Sequence, residues 1–446
     1  SDGNRPPDAR YTIHHAGGET TVEVDQRKHG YTWHYVGTFG FVAGTAARVT
    51  LTNQSSVAGR TVVADAVRFG GGTFDNLGGI DTIATGPPMR PWWEVASFYY
   101  TQKMGMAAGY GDVTVRPTYA RWEHAGTGDN AVYVSWHSNG ATGYAQWNYS
   151  GTETYAHNGE GLARTAGSLL LRDAIHWEVV HDIRAGWDGS WVDRGAKLAN
   201  LGELRLLWDD NPATRMPGAL IEIGFHDHPG DTDALKDPRF NQLVARALYQ
   251  GIAKYFNAGA VLLPEPPTHL SVENAGGGNV RVSWQPSPTD GQGLRGHAAS
   301  GYRVYTSPNG IGWSDGIQVG SGTEWVLSGL SVGDLIFVRV TATNSGGESF
   351  PTETLAVRVG DSAEILLVNG FDRINESMTV PENETAEGPN MRMFLDRMNS
   401  YDYVIQHGEG IREATTLAFD SASNEALRSG RINLNNYTIV DWILGE

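Results

Sequence analysis

The chain has no cysteine in its 446 residues, which removes disulfides, thiolate metal sites and cysteine nucleophiles together. Any metal must then be held by His, Asp or Glu. It also lacks any run approaching the roughly 18–20 apolar residues of a membrane-spanning helix. Neither an initiating Met nor a signal-like segment stands at Ser1, so the expected N-terminus lies upstream. Basic residues are scarce, 33 Lys and Arg against 50 Asp and Glu, for a formal charge of −17. That balance argues against nucleic acid or an anionic membrane surface as the main partner, because both select for clustered positive charge. The missing cysteines do not by themselves place the protein in a compartment.

What the chain does have is glycine and tryptophan, 57 and 14 residues respectively. Such a composition leans towards an exported, β-rich protein in contact with glycans. The length exceeds what one core can organise and implies about three or four domains.

Residues 1–72 alternate apolar and polar in short segments, among them Tyr11-Thr-Ile-His-His15, Thr20-Thr-Val-Glu-Val24 and Ala47-Arg-Val-Thr-Leu51. This is the pattern of an antiparallel β-sandwich, here without its opening strands. From 76 to 258, helix and strand signals alternate as in an α/β domain with a mostly parallel sheet and helices on both faces. Pro91-Trp-Trp-Glu94 opens one helix, Leu162 to Arg184 forms a second, and Asp237 to Phe256 a closing one; Leu204-Arg-Leu-Leu207 and Ala219 to Phe225 read as strands. After the stiff Pro264-Glu-Pro-Pro267 linker, residues 266–359 read as a second sandwich. Residues 363–446 read as the first half of a doubly wound α/β domain, with strands at Ile365-Leu-Leu-Val368, Tyr403-Val-Ile-Gln406 and Thr438 to Leu444. Helical stretches are expected at Asn390 to Met398 and Ala422 to Arg428.

Two strands carry polar groups that a core strand would not choose. Ala131-Val-Tyr-Val-Ser-Trp-His137 ends in a histidine, and Ala219-Leu-Ile-Glu222-Ile-Gly-Phe225 holds a carboxylate inside an apolar run. At the carboxyl end of a parallel strand, His137 occupies the edge where α/β sheets collect ligands, although a lone histidine there is also an ordinary hydrogen-bonding residue. Glu222 is the stronger anomaly, because a buried carboxylate is costly unless it faces a cation, a metal or a wet cleft. An ion pair with an arginine would satisfy it equally well. Glu94, in the first turn of a helix, has a bland reading as a helix-dipole partner. Asn369 to Arg373 and Gln406-His407 are expected at strand ends of the last domain, with no nucleophile beside a base.

His176-Trp-Glu-Val-Val-His181 has the residue types of a zinc-binding helix but the wrong spacing. Metal-binding histidines on a helix sit four apart to share a face, whereas five residues separate them by about 140°. No nucleophile elbow, phosphate-binding loop or dinucleotide fingerprint is present. The chemistry narrows to histidine and carboxylates.

Tyr11-Thr-Ile-His-His-Ala-Gly-Gly18, Leu51-Thr-Asn53 and Val63-Ala-Asp-Ala-Val-Arg-Phe69 resemble the golvesin C-terminal-like sandwich domain. Val280-Arg-Val-Ser-Trp284, Tyr302-Arg-Val-Tyr305 and Phe337 to Asn344 resemble a fibronectin type III module, with Ile336 in place of the usual corner tyrosine. Glu94 at a helix start, Val134-Ser-Trp-His137-Ser-Asn139, Pro217 to Phe225, Asp231 and the Leu243 to Phe256 helix resemble the zinc-dependent N-acetylmuramoyl-L-alanine amidases of the amidase-3 type. That last resemblance implies Zn2+ held by Glu94 and His137, Glu222 as general base, and peptidoglycan as substrate. It implies a secreted, extracellular or periplasmic location. The family's first zinc histidine lies in a His-Gly-Gly loop ahead of the glutamate, and no such loop precedes Glu94; His14-His15-Ala-Gly-Gly belongs to the sandwich. The third ligand is therefore expected upstream of Ser1; His226 and His228 read first as a polar turn, and otherwise as cleft lining or a substitute ligand. The competing expectation is a non-catalytic extracellular scaffold or adhesin that keeps the amidase fold.

Overall fold

The computed structural model describes residues 4–27, 36–37, 39–67, 69, 97, 100–101, 104, 106, 109–125, 130–141, 148–384, 388–393 and 398–445. Near the start, alternation builds an antiparallel sheet from β1 (Ala9–His15), β2 (Gly18–Val24) and β3 (Arg48–Leu51), with β1 central. Ala9 and Ile13 point into its core, while Thr12 and Thr21 share a cross-strand hydrogen bond of 3.0 Å on the open face.

The α/β region contains a four-stranded sheet made of β4 (Tyr133–Asn139), β5 (Thr152–His157), β6 (Asp193–Ala199) and β7 (Gly218–Phe225) in the order β4-β7-β5-β6. Two of its three ladders are parallel, β4 with β7 and β5 with β6; β5 runs antiparallel to β7. Around it lie α1 (Asp112–His124), α2 (Ser168–Gly186), the short α3 (Gly202–Arg205), α4 (Pro229–Lys236) and α5 (Pro238–Phe256). Alternate residues of β7 divide its faces. Ala219, Ile221 and Ile223 bury against Leu171, Ile175 and Val179 of α2 and Val244 and Ala247 of α5. Leu220 turns the other way, onto Leu204, Leu207 and Met216.

Several sequence expectations shift in this region. Helix α2 begins at Ser168 rather than Leu162, because Gly167 takes a positive φ of 85° that no helix accommodates. Leu204 to Leu207 is not a strand: Leu204 and Arg205 close the short helix α3 and Leu206 and Leu207 form the turn after it, which brings Leu204 and Leu207, three apart, into one apolar cluster. The strand that completes the sheet is instead β6, whose Asp-Arg-Gly-Ala-Lys-Leu-Ala sequence carries no β-branched signal. The helix expected at Pro91 lies outside the described residues.

The second sandwich comprises β8 (Thr268–Gly276), β9 (Asn279–Gln285), β10 (Gly301–Ser307), β11 (Ile317–Gly320), β12 (Glu324–Leu327), β13 (Leu335–Asn344), β14 (Gly347–Glu348) and β15 (Leu355–Arg358). Trp284 and Phe337 fill its core. Downstream follow β16 (Ile365–Asn369), the hairpin β17 (Val380–Glu384) and β18 (Gly388–Arg392), α6 (Val404–Ala414), β19 (Phe419–Ser423), α7 (Asn424–Arg428) and β20 (Ile439–Ile443). The parallel set is β19-β16-β20. Tyr403 to Gln406, expected as a strand, opens helix α6, since Val404, Gly408 and Ile411 recur at helical spacing against the core. That places His407 on a helix, 2.7 Å from Asp441 on β20. Of the stretch expected helical from Asn390 to Met398, residues 390–392 belong to hairpin strand β18, and 394–397 lie outside the described residues. Of the stretch expected as helical from Ala422, only Asn424–Arg428 is helix, and Ser423 caps it.

Strand β19 also joins the fibronectin-like sandwich, pairing antiparallel with β15 and β8. Ser421 bonds both backbone groups of Ala356, and Asp420 accepts from the backbone and side-chain amides of Asn274 at 2.7 and 2.9 Å. Phe419 sits fully buried in the same cluster as Phe337 and Leu335. The sandwich and the last α/β unit thus share one sheet and one core. Phe419→Ala should cost about 3–5 kcal/mol, the usual range for emptying a buried aromatic site, and should destabilise both units together. Denaturant unfolding followed by Trp284 and Trp442 fluorescence checks this; separate, unequal shifts would contradict the shared core.

Candidate functional site

The register of the four-stranded sheet places three side chains in one row. His137 of β4 lies opposite Glu222 of β7, and Glu222 lies opposite Glu153 of β5. Directly opposed residues share a face, and neighbouring strands are about 4.8 Å apart. The row lies on the face away from α2 and α5, at the carboxyl ends of β4 and β7.

Glu153 is the satisfied member. Its carboxylate accepts from Asn139 Nδ2 at 2.6 Å, Tyr155 OH at 2.8 Å, Arg194 Nε at 2.9 Å and Lys197 Nζ. Burial alone would raise its pKa, but these donors outweigh it and hold the carboxyl below its ordinary value. Glu222 is the unsatisfied member. Burial, followed by the charges of Glu153 and Glu203, pushes it up to about 7, and its Oε2 is buried without a hydrogen-bond partner. An orphaned buried oxygen on an ionisable group is expensive unless something else binds it.

His137 is half-buried, and burial holds its imidazole below the ordinary value, leaving it neutral at pH 7. Ser135, two residues back on the same face, bonds its Nε2 at 2.8 Å. The strand-end geometry is pinned from behind by Asp231, which accepts from Ser150 Oγ, Gly151 N and Phe225 N at 2.8–2.9 Å. Gly151 has φ of 97°, and a Cβ there would stand 2.0 Å from the Val192 carbonyl oxygen, so the entry to β5 requires glycine.

Glu94 lies outside the described residues. His226 bonds Ser138 through Nδ1 at 3.2 Å and packs on Gly140, beyond the row. His228 caps α4 by accepting from Asp231 N. His176 and His181 lie on α2 and bond Asp193 and Asp182, respectively, while His14 and His15 stay within β1, bonded to Thr50 and Thr20. Among the described residues, no group of three or more His, Asp and Glu is placed to hold a metal. Sequence reasoning missed Glu153 and Glu203. Glu153 carried the same signal as Glu222, a carboxylate in a strand, but Thr152-Glu-Thr-Tyr155 has too little apolar character to stand out.

Residues 107–254 match the N-acetylmuramoyl-L-alanine amidase family. Residues 1–71 match the golvesin C-terminal domain and 265–358 the fibronectin type III domain. His137, Glu153 and Glu222 lie inside the amidase match, and Glu94 ahead of it. The chain is 33% identical over 125 residues to the N-acetylmuramoyl-L-alanine amidase CwlM of Bacillus licheniformis, covering 28% of this chain and 40% of that protein. It is 30% identical over 139 residues to an uncharacterised cell wall amidase of Bacillus anthracis, covering 30% of this chain and 23% of that protein. It thus spans less than half the length of these curated relatives. Among solved structures, the N-acetylmuramoyl-L-alanine amidase of Clostridium difficile 630 aligns at 24% identity and a TM-score of 0.27, over 34% of this chain and 68% of that one.

The raised Glu222 carboxyl has a signed consequence for stability. It binds its proton more tightly in the folded than in the unfolded chain, so its favourable contribution is full at low pH and lost as pH rises from about 4.5 through about 7. Glu222→Gln should therefore leave stability at pH 4 nearly unchanged and raise it at pH 8 by roughly 1–3 kcal/mol. Urea unfolding of the chelator-treated protein at both pH values measures this; equal effects at pH 4 and 8 would contradict it.

Proposed function

We propose that the 107–254 segment hydrolyses the amide joining N-acetylmuramic acid to the L-alanine of the peptidoglycan stem peptide, acting outside the cytoplasm at the cell wall. The observation that carries this reading is Glu222, a carboxyl near pKa 7 with an orphaned oxygen, in register with a neutral histidine. A general base works best when its pKa lies near the operating pH. The amidase match over these residues supports the same chemistry.

The chemistry of two described residues suits a zinc ion: His137 is neutral, as a ligand must be, and the unpaired Glu222 oxygen lies one strand away. His137 and Glu94 would hold it. Bound there, zinc supplies an acidified water and a polarised carbonyl. Glu222 takes the proton from the attacking water and returns it to the leaving amine. Ser135 orients the His137 ring, and Glu153 anchors the end of β4 through Asn139. Among the described residues, no helix is long and apolar enough to cross a membrane.

Incubated with purified peptidoglycan, the full chain should release free stem peptide. Chelator should abolish release and added zinc restore it, and Glu222→Ala should lower the rate roughly 10²–10⁴-fold, the usual contribution of a general base. Release that survives both treatments would contradict the mechanism. No release under any metal condition would favour a scaffold that keeps the fold without the activity.

A further inference from the structure

Beside the row, strand β6 presents two cations to one anion. Arg194 Nε and Lys197 Nζ both donate to the same oxygen, Oε2 of Glu153. The Glu153 side chain is only 5% exposed, whereas Lys197 is 38% and Arg194 23% exposed. The carboxylate therefore lies beneath, and the cations open outward with one positive charge in excess. Arg194 is held in plane by aromatic rings, with its guanidinium carbon 5.1 Å from the Tyr149 centroid and 5.0 Å from that of Phe225. Among the described residues, the terminal amino groups of Arg194 and the remaining N–H donors of Lys197 have no hydrogen-bond partner.

Lys197 is in register with Tyr155, which lies two residues along from Glu153, so the pair shares the face of Glu222. Two strand spacings separate β7 from β6, about 10 Å. An extended peptide covers that distance in about three residues. In a chain of charge −17, a preorganised cationic pair at this reach from the proposed base is a recognition feature for an anion.

We propose that Arg194 and Lys197 form a carboxylate subsite, binding an acidic group of the stem peptide within about three residues of the scissile amide. This rests on the amidase reading and names which part of the substrate the chain reads. Glu153 holds the two cations side by side on one oxygen, so little ordering cost falls on binding. Because one surplus charge remains after Glu153 is paired, a ligand carboxylate gains charge-assisted hydrogen bonds without stripping the cations from their partner.

The test measures binding, so it does not depend on turnover. Calorimetric titration of full-length Glu222→Gln protein with the free stem peptide, and with the same peptide carrying carboxamides in place of its carboxylates, should show roughly 10-fold or greater weakening on amidation. Adding Lys197→Gln should weaken the carboxylate peptide by a similar factor and abolish the difference between the two peptides. Lys197→Arg should restore both, and matched melting curves establish that each variant is folded. Equal binding of the two peptides by the Glu222→Gln protein, no binding of either, or a Lys197→Gln loss that is the same for both, would overturn the subsite and leave the cations as partners of Glu153 only. Failure of the amidase reading has a different signature: selective carboxylate binding by a protein that releases no stem peptide from peptidoglycan.

Discussion

Two carboxylates side by side in a sheet cannot both be comfortable, and the α/β unit resolves the conflict unequally. Glu153 receives two cations, a phenol and an amide, and stays ionised. Glu222, on the adjacent strand, receives nothing on Oε2 and feels the Glu153 charge as well as its own burial. Like charges at one strand spacing push pKa values apart. The same arrangement leaves a neutral histidine on one flank of Glu222 and a pair of partly open cations on the other.

The rest of the unit serves that row. Helices α2 and α5 cover one face of the sheet with aliphatic side chains, which forces Glu222 and its neighbours onto the other. Asp231 ties together the loop before β5 and the end of β7, fixing the two strands whose register sets Glu222 against Glu153. The stability that buries Ile221 and Ile223 is thus what makes a partly buried carboxyl at position 222 tolerable. Elsewhere the chain economises on interfaces: β19 completes both the fibronectin-like sandwich and the following parallel sheet, so these two units share a core rather than hang on a linker.

Where apolar periodicity was strong, the sequence was readable. The β7 run, the 238–256 helix and the alternating strands of both sandwiches stand close to where their patterns put them. Reading failed where burial overrode local pattern or where the pattern was polar. Strand β6 is Asp-Arg-Gly-Ala-Lys-Leu-Ala, with no β-forming signal of its own, and is a strand because β5 pairs with it. Residues 404–414 begin with a β-branched pair yet fold as a helix, since that spacing buries Val404 and Gly408. In the site, His137 and Glu222 were legible as polar intrusions into apolar strands. Glu153 was not, because its neighbours are threonines and only the register of β5 against β7 reveals that it stands beside Glu222.

The most direct measurement is the titration of the Glu222 carboxyl itself, followed by carbon-detected NMR in metal-free protein, with Glu222→Gln used to assign the resonance. A midpoint near 7 is expected. A midpoint at the ordinary glutamate value, near 4.5, would mean that the carboxyl is neither buried nor opposed by Glu153 as described, and would contradict its role as base.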